Sequence, residues 1–254
     1  MSPTPREKLD RLMPNVPARG CWLGLPSIVT AEIMGRAGFD FAIADLEHGP
    51  SSVETAMGQM IALAGTPTVP VVRVPQGGGP WIKRALDIGA QVVIVPAVES
   101  PEEAVAHVAA FRYGPAGRRG CAARIVRASG YGADDDYVAE WNDTGLLICQ
   151  IESPEALERA EEIARVDGVD GLFFGPADFA TIAGFPDDGE LEAAFDRMCV
   201  AARKLGKLTG TVPFARLTAA DLVRAKVDIV AVASDISILR KGAQAVLDDA
   251  ASGF

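Results

Sequence analysis

Residues 146–155 read LLICQIESPE. The run from Leu146 to Ile151 is apolar on successive residues, broken only by Gln150, as in a parallel strand covered on both faces; a half-exposed strand would alternate. Ser153-Pro154-Glu155 then supplies a helix start. The Ser side chain can accept from free amides of the first turn, Pro loses nothing at the first helical position, and the carboxylate meets the positive end of the helix dipole. A strand that leads straight into a helix is a βα unit. The same grammar recurs at 91–103, where QVVIVP leads through Ala97, Val98 and Glu99 into Ser100-Pro101-Glu102-Glu103. Eight apolar runs of strand length repeat the pattern, at 21–25, 41–45, 69–74, 91–96, 146–152, 171–175, 208–212 and 228–233. Eight units at similar spacing predict a closed (β/α)8 TIM barrel, in preference to an open doubly wound sheet. The 254 residues match the length of about 250 that such a barrel typically takes, so 1–254 reads as one barrel domain.

Composition narrows the function classes. With 49% hydrophobic residues and 23% charged, the chain can bury a large core and is not disordered. There are 24 Lys plus Arg against 34 Asp plus Glu, a net charge of −10, and the densest cationic spot is Arg118-Arg119, so nucleic acid is not an expected partner. No run near eighteen apolar residues occurs and MSPTPREKLD lacks signal-peptide character, which predicts a cytoplasmic protein with no membrane partner. Cys21, Cys121, Cys149 and Cys199 contain no C-x-x-C pair and read as reduced, mostly buried thiols. Neither G-x-G-x-x-G nor G-x-x-x-x-G-K-[ST] is present, so the usual nucleotide cradles have no support. The interval 111–142 is long and punctuated by Gly and Tyr, and its Arg119, Arg124 and Arg127 suggest an ordered loop able to close over an anion.

Barrel enzymes carry their chemistry at the C-terminal ends of the strands, so polar residues that end apolar runs are the candidates. Side-chain parity puts Phe41, Ile43 and Asp45 on one face, Val71 with Arg73, and Ile148 with Gln150 and Glu152. Such groups are costly to bury unless they pair, hold a metal or meet a ligand. Glu152 and Asp178 come from consecutive βα ends, and two carboxylates with open positions suit Mg2+ or Mn2+; the plain structural alternative is that each caps its helix. His48 lies three residues past Asp45, where a carboxylate could fix one imidazole nitrogen and leave the other as a general base. Arg73 offers a fork of donors for a carboxylate or enolate oxygen, with a structural salt bridge as its bland reading. His107 reads as an exposed bystander in mid-helix.

These residues, in this order, resemble the HpcH/HpaI aldolases, metal-dependent class II pyruvate aldolases of the phosphoenolpyruvate/pyruvate barrel superfamily. The likeness rests on Gly38-Phe39-Asp40 through Asp45-Leu46-Glu47-His48, on Pro70-Val71-Val72-Arg73-Val74-Pro75, and on Leu86-Asp87-Ile88-Gly89-Ala90. It continues through Arg112-Tyr113, Gln150-Ile151-Glu152 and Gly175-Pro176-Ala177-Asp178. The resemblance implies Glu152 and Asp178 as ligands of Mg2+, Mn2+ or Co2+, and Gln150 and Arg73 as pyruvate contacts. It further implies His48, oriented by Asp45, as the acid/base, and backbone near Ala177 at the pyruvate carboxylate. It also implies a homo-hexamer in which the helix at about 236–250 packs on a neighbouring barrel.

The reaction implied is reversible retro-aldol cleavage of a 4-hydroxy-2-oxo acid, of the 2-keto-3-deoxy sugar acid or 4-hydroxy-2-oxoheptanedioate type, into pyruvate and an aldehyde. Independently of the resemblance, a Schiff-base route would need a Lys at a strand end inside the barrel. None of Lys8, Lys83, Lys204, Lys207, Lys226 and Lys241 is so placed. Two alternatives stay open: a CoA-thioester lyase of the same superfamily, and a barrel that binds pyruvate without catalysis.

Overall fold

The structure, a computed structural model, describes residues 3–251. Eight parallel strands form it: β1 (Ala18–Leu23), β2 (Phe41–Asp45), β3 (Val69–Arg73), β4 (Val92–Val95), β5 (Leu146–Ile151), β6 (Gly171–Phe174), β7 (Leu208–Thr211) and β8 (Ile229–Ser234). Each pairs with the next and β8 pairs with β1, closing the predicted (β/α)8 barrel with helices between the strands. Both helix starts read from the sequence form: Ser100 accepts from Glu103 N at 3.2 Å and Ser153 from Ala156 N at 3.0 Å, each followed by Pro. Among the described residues no helix is long and apolar enough to cross a membrane.

The first strand lies earlier than the expected 21–25. It ends at Leu23 because the next two amides leave the ladder: Gly24 N and Leu25 N donate to the buried Asp235 carboxylate at 2.9 and 3.1 Å. β4 ends at Val95, ahead of Ala97, whose φ of +50° lies in the left-handed region that an extended chain does not visit.

Parity divides the core into two layers. Phe41, Ile43, Val69, Val71, Val92, Ile94, Ile148 and Phe173 pack inside the barrel, while Ala42, Ala44, Val72, Val93, Cys149 and Phe174 face the helices. Gly20 makes the inner layer possible, since a Cβ there would fall 2.0 Å from the Phe41 ring. The N-terminal end of the barrel is plugged by the helix Pro5–Leu12, which sends Leu9 into the inner cluster. Its Lys8, almost fully buried, donates to Gly145 O at 3.0 Å and lies 3.2 Å from Asp170 Oδ1, while Leu147 N donates to Asp170 Oδ2. Removing one partner of a buried pair strands the other, which costs about 3 kcal/mol or more. Lys8→Met is therefore expected to lower the unfolding free energy read from urea titration by that amount, and Lys8→Met/Asp170→Asn to recover most of it. Equal midpoints for the two variants would mean that Asp170 left without Lys8 carries no penalty.

Candidate active site

At the C-terminal end of the strands, β2 and β3 place Asp45 and Arg73 as direct register partners on the inner face. The Asp45 carboxylate accepts from Arg73 Nε at 2.9 Å and Nη2 at 2.7 Å, a two-point fork between buried groups. It also accepts from Glu47 N at 3.1 Å and His48 N at 3.4 Å, which turns the chain sharply after the strand. Burial pushes the Asp45 carboxyl up, but the Arg73 hydrogen bonds and charge outweigh it and hold the group below its ordinary range. The Trp22 ring lies against the guanidinium at 4.4 Å, and Glu47 Oε2 lies 3.1 Å from Arg73 Nη1 as an ion pair without a directed hydrogen bond. A guanidinium has five N–H groups and the fork uses two, so one on Nη2 and two on Nη1, met there only by the undirected Glu47 contact, are left for something that enters the barrel mouth.

Glu152 stands just past β5. Its Oε1 accepts from Ala97 N at 2.6 Å and its Oε2 meets Gln150 Nε2. The left-handed turn at Ala97 lies at the residue that gives this amide, and Gly175 leaves the space beside it. A Cβ at Gly175 would lie 2.6 Å from Glu152 Oε2 and 2.7 Å from Gln150 Nε2. Burial, then the neighbouring charges of Glu47 and Asp178, pushes the Glu152 carboxyl up to about 7. Burial likewise raises Glu47. Asp178 and Ala177 belong to the first turn of the helix Pro176–Ile182 that follows Gly175. His48 Nε2 lies 3.8 Å from Asp178 Oδ2 and 3.9 Å from Glu47 Oε2, with 62% of its side chain exposed.

The structure thus gathers Asp45, His48, Arg73, Gln150, Glu152, Ala177 and Asp178 at one end of the barrel. The expected contact of Asp45 with the imidazole is not made. Asp45 spends its oxygens on Arg73 and on two backbone amides, so it shapes the turn that carries His48 and leaves the ring facing Asp178 and Glu47. His107 is buried, with its ring against Gly78, and is no exposed bystander.

The interval 111–142 also differs from expectation. It joins a helix to the start of β5 and therefore returns to the N-terminal end of the barrel, away from these carboxylates. Arg119 is stacked with Tyr113, Tyr137 and Trp141 and bound to Asp87, while Arg127 donates to Ile88 O and Met60 O. A hollow of about 600 Å3 opens there, lined by Leu12, Arg127, Tyr131, Tyr137 and Trp141, but it gathers no comparable set of acids and bases.

Sequence reasoning missed Glu47, Trp22 and Gly175. Glu47 was visible only as part of Asp-Leu-Glu-His, since parity fails once the strand ends. Gly175 had a signal in Phe-Phe-Gly-Pro-Ala-Asp, a glycine between an inner strand and a Pro-led helix.

The donor set fits a divalent cation. Among the described residues, four carboxylates, Asp45, Glu47, Glu152 and Asp178, gather with a single guanidinium, and buried Gln150 Oε1 and Glu47 Oε2 have no hydrogen-bond partner. Among the described residues no three His, Cys, Asp or Glu side chains form a ready-made cage. An open pair of carboxylates completed by water and substrate oxygens suits hard cations such as Mg2+ or Mn2+.

A model of the HpcH/HpaI aldolase/citrate lyase family matches residues 19–242. The 4-hydroxy-2-oxo-heptane-1,7-dioate aldolase of Salmonella dublin is 38% identical over 240 residues, 93% of this chain and 91% of that protein. Among solved structures, an HpcH/HpaI aldolase/citrate lyase family protein from Burkholderia cenocepacia J2315 superposes with a TM-score of 0.89 at 33% identity, covering 97% of this chain and 99% of its own. An HpcH/HpaI aldolase from Desulfitobacterium hafniense DCB-2 gives 0.84 at 26% identity, covering 96% and 95%.

Proposed function

The chain belongs to the HpcH/HpaI aldolase/citrate lyase family, and from that premise we propose that Glu152 and Asp178 hold a divalent cation, Mg2+, Mn2+ or Co2+, at the mouth of the barrel. The protein is an aldolase that cleaves a 4-hydroxy-2-oxo acid reversibly to pyruvate and an aldehyde. A 4-hydroxy-2-oxo diacid of the kind named for the Salmonella dublin relative is the substrate class we favour. The observation that carries the cation is the buried Glu152, lifted to about 7 by burial and by the charges of Glu47 and Asp178, which the Ala97 amide and the single guanidinium of Arg73 offset only in part.

When bound, such a cation supplies Lewis acidity that lowers the energy of negative charge on the keto oxygen. The chain's own groups do the rest. N–H groups of Arg73 that the fork leaves free hold the oxygen on which the enolate charge grows, and Asp45 and Trp22 keep the guanidinium still while they do so. Gln150 presents its amide to the keto acid, and the backbone at Ala177 meets the carboxylate. With Nε2 turned toward Glu47 and Asp178, His48 takes the proton of the 4-hydroxyl on its other nitrogen, Nδ1, the C3–C4 bond breaks, and the electron pair passes into the pyruvate enolate as the aldehyde leaves. Protonation at C3 then gives pyruvate, and the reverse order gives synthesis.

A location in the cytoplasm is supported by Cys21, Cys149 and Cys199, which are buried free thiols. A homo-hexamer is supported by the last helix, Asp235–Ala251, whose Leu239, Val246 and Leu247 are all more than 60% exposed, an apolar face suited to a second copy.

The test is a screen of 4-hydroxy-2-oxo diacids and 2-keto-3-deoxy sugar acids for pyruvate release, with and without chelation. Cleavage is expected to vanish in EDTA, to return with Mg2+, Mn2+ or Co2+, and to leave no adduct after borohydride and pyruvate. Full activity after exhaustive chelation would overturn the cation assignment. Cleavage of CoA thioesters alone would overturn the substrate class.

A further inference from the structure

Among the groups around the barrel mouth, Glu47 has no part in the reaction as derived above, yet its placement is particular. Its side chain is 16% exposed, and one oxygen, Oε2, lies 3.1 Å from Arg73 Nη1 and 3.9 Å from His48 Nε2. Among the described residues it is the carboxylate within 4 Å of both Arg73 and the His48 ring. Asp45 touches Arg73 but only the backbone of His48, and Asp178 touches His48 alone.

We propose that Glu47 is a positioning residue that holds the imidazole of His48 over the barrel mouth. This rests on the reading of the site as that of an aldolase.

The strengths of the neighbouring contacts decide which partner depends on Glu47. Arg73 is already held by the Asp45 fork and by the Trp22 face, so losing a third, undirected contact changes its position little. His48 is mostly exposed and has only Asp178 besides Glu47. Asp178 is also one of the two carboxylates assigned to the cation, and an oxygen committed there no longer draws the ring. Glu47 is then what remains to hold it. A separation of 3.9 Å exceeds a hydrogen bond, but catalytic contacts are commonly long in a ligand-free site and tighten when substrate closes over them. The free Oε2, with no directed hydrogen bond of its own, has the capacity to accept one.

A double-mutant cycle on the whole protein, loaded with Mn2+, tests this with two readouts: retro-aldol cleavage, and exchange of pyruvate methyl protons with D2O. Glu47→Ala is expected to lower kcat for cleavage about tenfold to a hundredfold, no more than the low end of the roughly 10²- to 10⁴-fold that a positioned base contributes, with KM changed less than threefold. Methyl exchange, which leans on Arg73, should fall less than His48→Ala lowers it. In a His48→Ala background, adding Glu47→Ala should cost less than twofold more, because the group it positions is gone. Glu47→Gln, which keeps shape and an acceptor oxygen, should recover part of the loss and guards against misfolding of the Ala variant.

A loss in the His48→Ala background as large as in the native one would overturn the proposal. So would exchange falling in step with cleavage, which would place Glu47 behind Arg73 or the cation. If the unsubstituted protein cleaves no 4-hydroxy-2-oxo acid, the aldolase reading itself fails before any variant is compared.

Discussion

Arg73→Ala is expected to slow exchange of pyruvate's methyl protons by about a thousandfold or more while Mn2+ still binds. Removing one fixed donor from a developing oxyanion typically costs about 10²- to 10³-fold, and Arg73 offers two donors with a full charge behind them. The substitution also strands Asp45, a buried carboxylate whose fork partner is gone and which then faces Glu47 unopposed. Stability should fall by about 3 kcal/mol for that reason, so the Ala variant alone would confound chemistry with folding. Arg73→Lys separates them. An ammonium keeps the charge beside Asp45 but cannot bond both its oxygens and still present two N–H groups in one plane. The Lys variant should therefore keep a thermal midpoint near that of the unsubstituted protein and still lose more than about a hundredfold in exchange. Exchange at the native rate in Arg73→Lys would show that charge alone suffices and that the fork has no role.

How much of this was open to a reader of the sequence depends on how local the deciding physics is. The barrel is legible because each strand is an apolar run whose end is marked by Gly, Pro or a capping Ser, and because strands covered on both faces need no partner to be recognised. Parity extends the reading inward and places Asp45, Arg73 and Gln150 on the inner face. It stops where the strands stop. Glu47 reaches Arg73 only because Asp45 accepts from the two amides that follow Leu46, and that turn rests on local hydrogen bonds from the loop back to a side chain that Arg73 holds in place. Trp22 meets Arg73 from β1, two strands away, a contact that exists only once β2 lies between them in register. The interval 111–142 misleads for the opposite reason. Its arginines read as free cations, but Arg119 finds Asp87 and three aromatic rings, and a buried cation with such partners leaves no local mark in the sequence.

Glu152→Gln is expected to move activity and stability in opposite directions. With an ordinary value of 4.5 and a folded value of about 7, the Glu152 carboxyl binds its proton more tightly in the folded chain than in the unfolded one. Between those values the unfolded chain has released the proton and the folded one has kept it, so stability falls as pH rises through that window. Above it the folded protein carries the whole penalty, about 3 kcal/mol at roughly 1.4 kcal/mol per pH unit. A neutral carboxamide escapes this cost. It can keep its oxygen on Ala97 N and turn its amide toward Gln150, whose own amide then flips to present, in place of Nε2, the oxygen that accepts nothing among the described residues. Cation-free Glu152→Gln at pH 8 should therefore melt above the cation-free native protein. Added Mn2+ should raise the native midpoint and leave the variant's unmoved, because a ligand stabilises only the form that binds it. Cleavage should drop by about a thousandfold or more, since one of two charged oxygen donors is gone. A variant that melts lower than the native protein without cation would mean that the buried carboxylate is not strained by its neighbours. An undiminished Mn2+ shift would mean that Glu152 does not hold the ion.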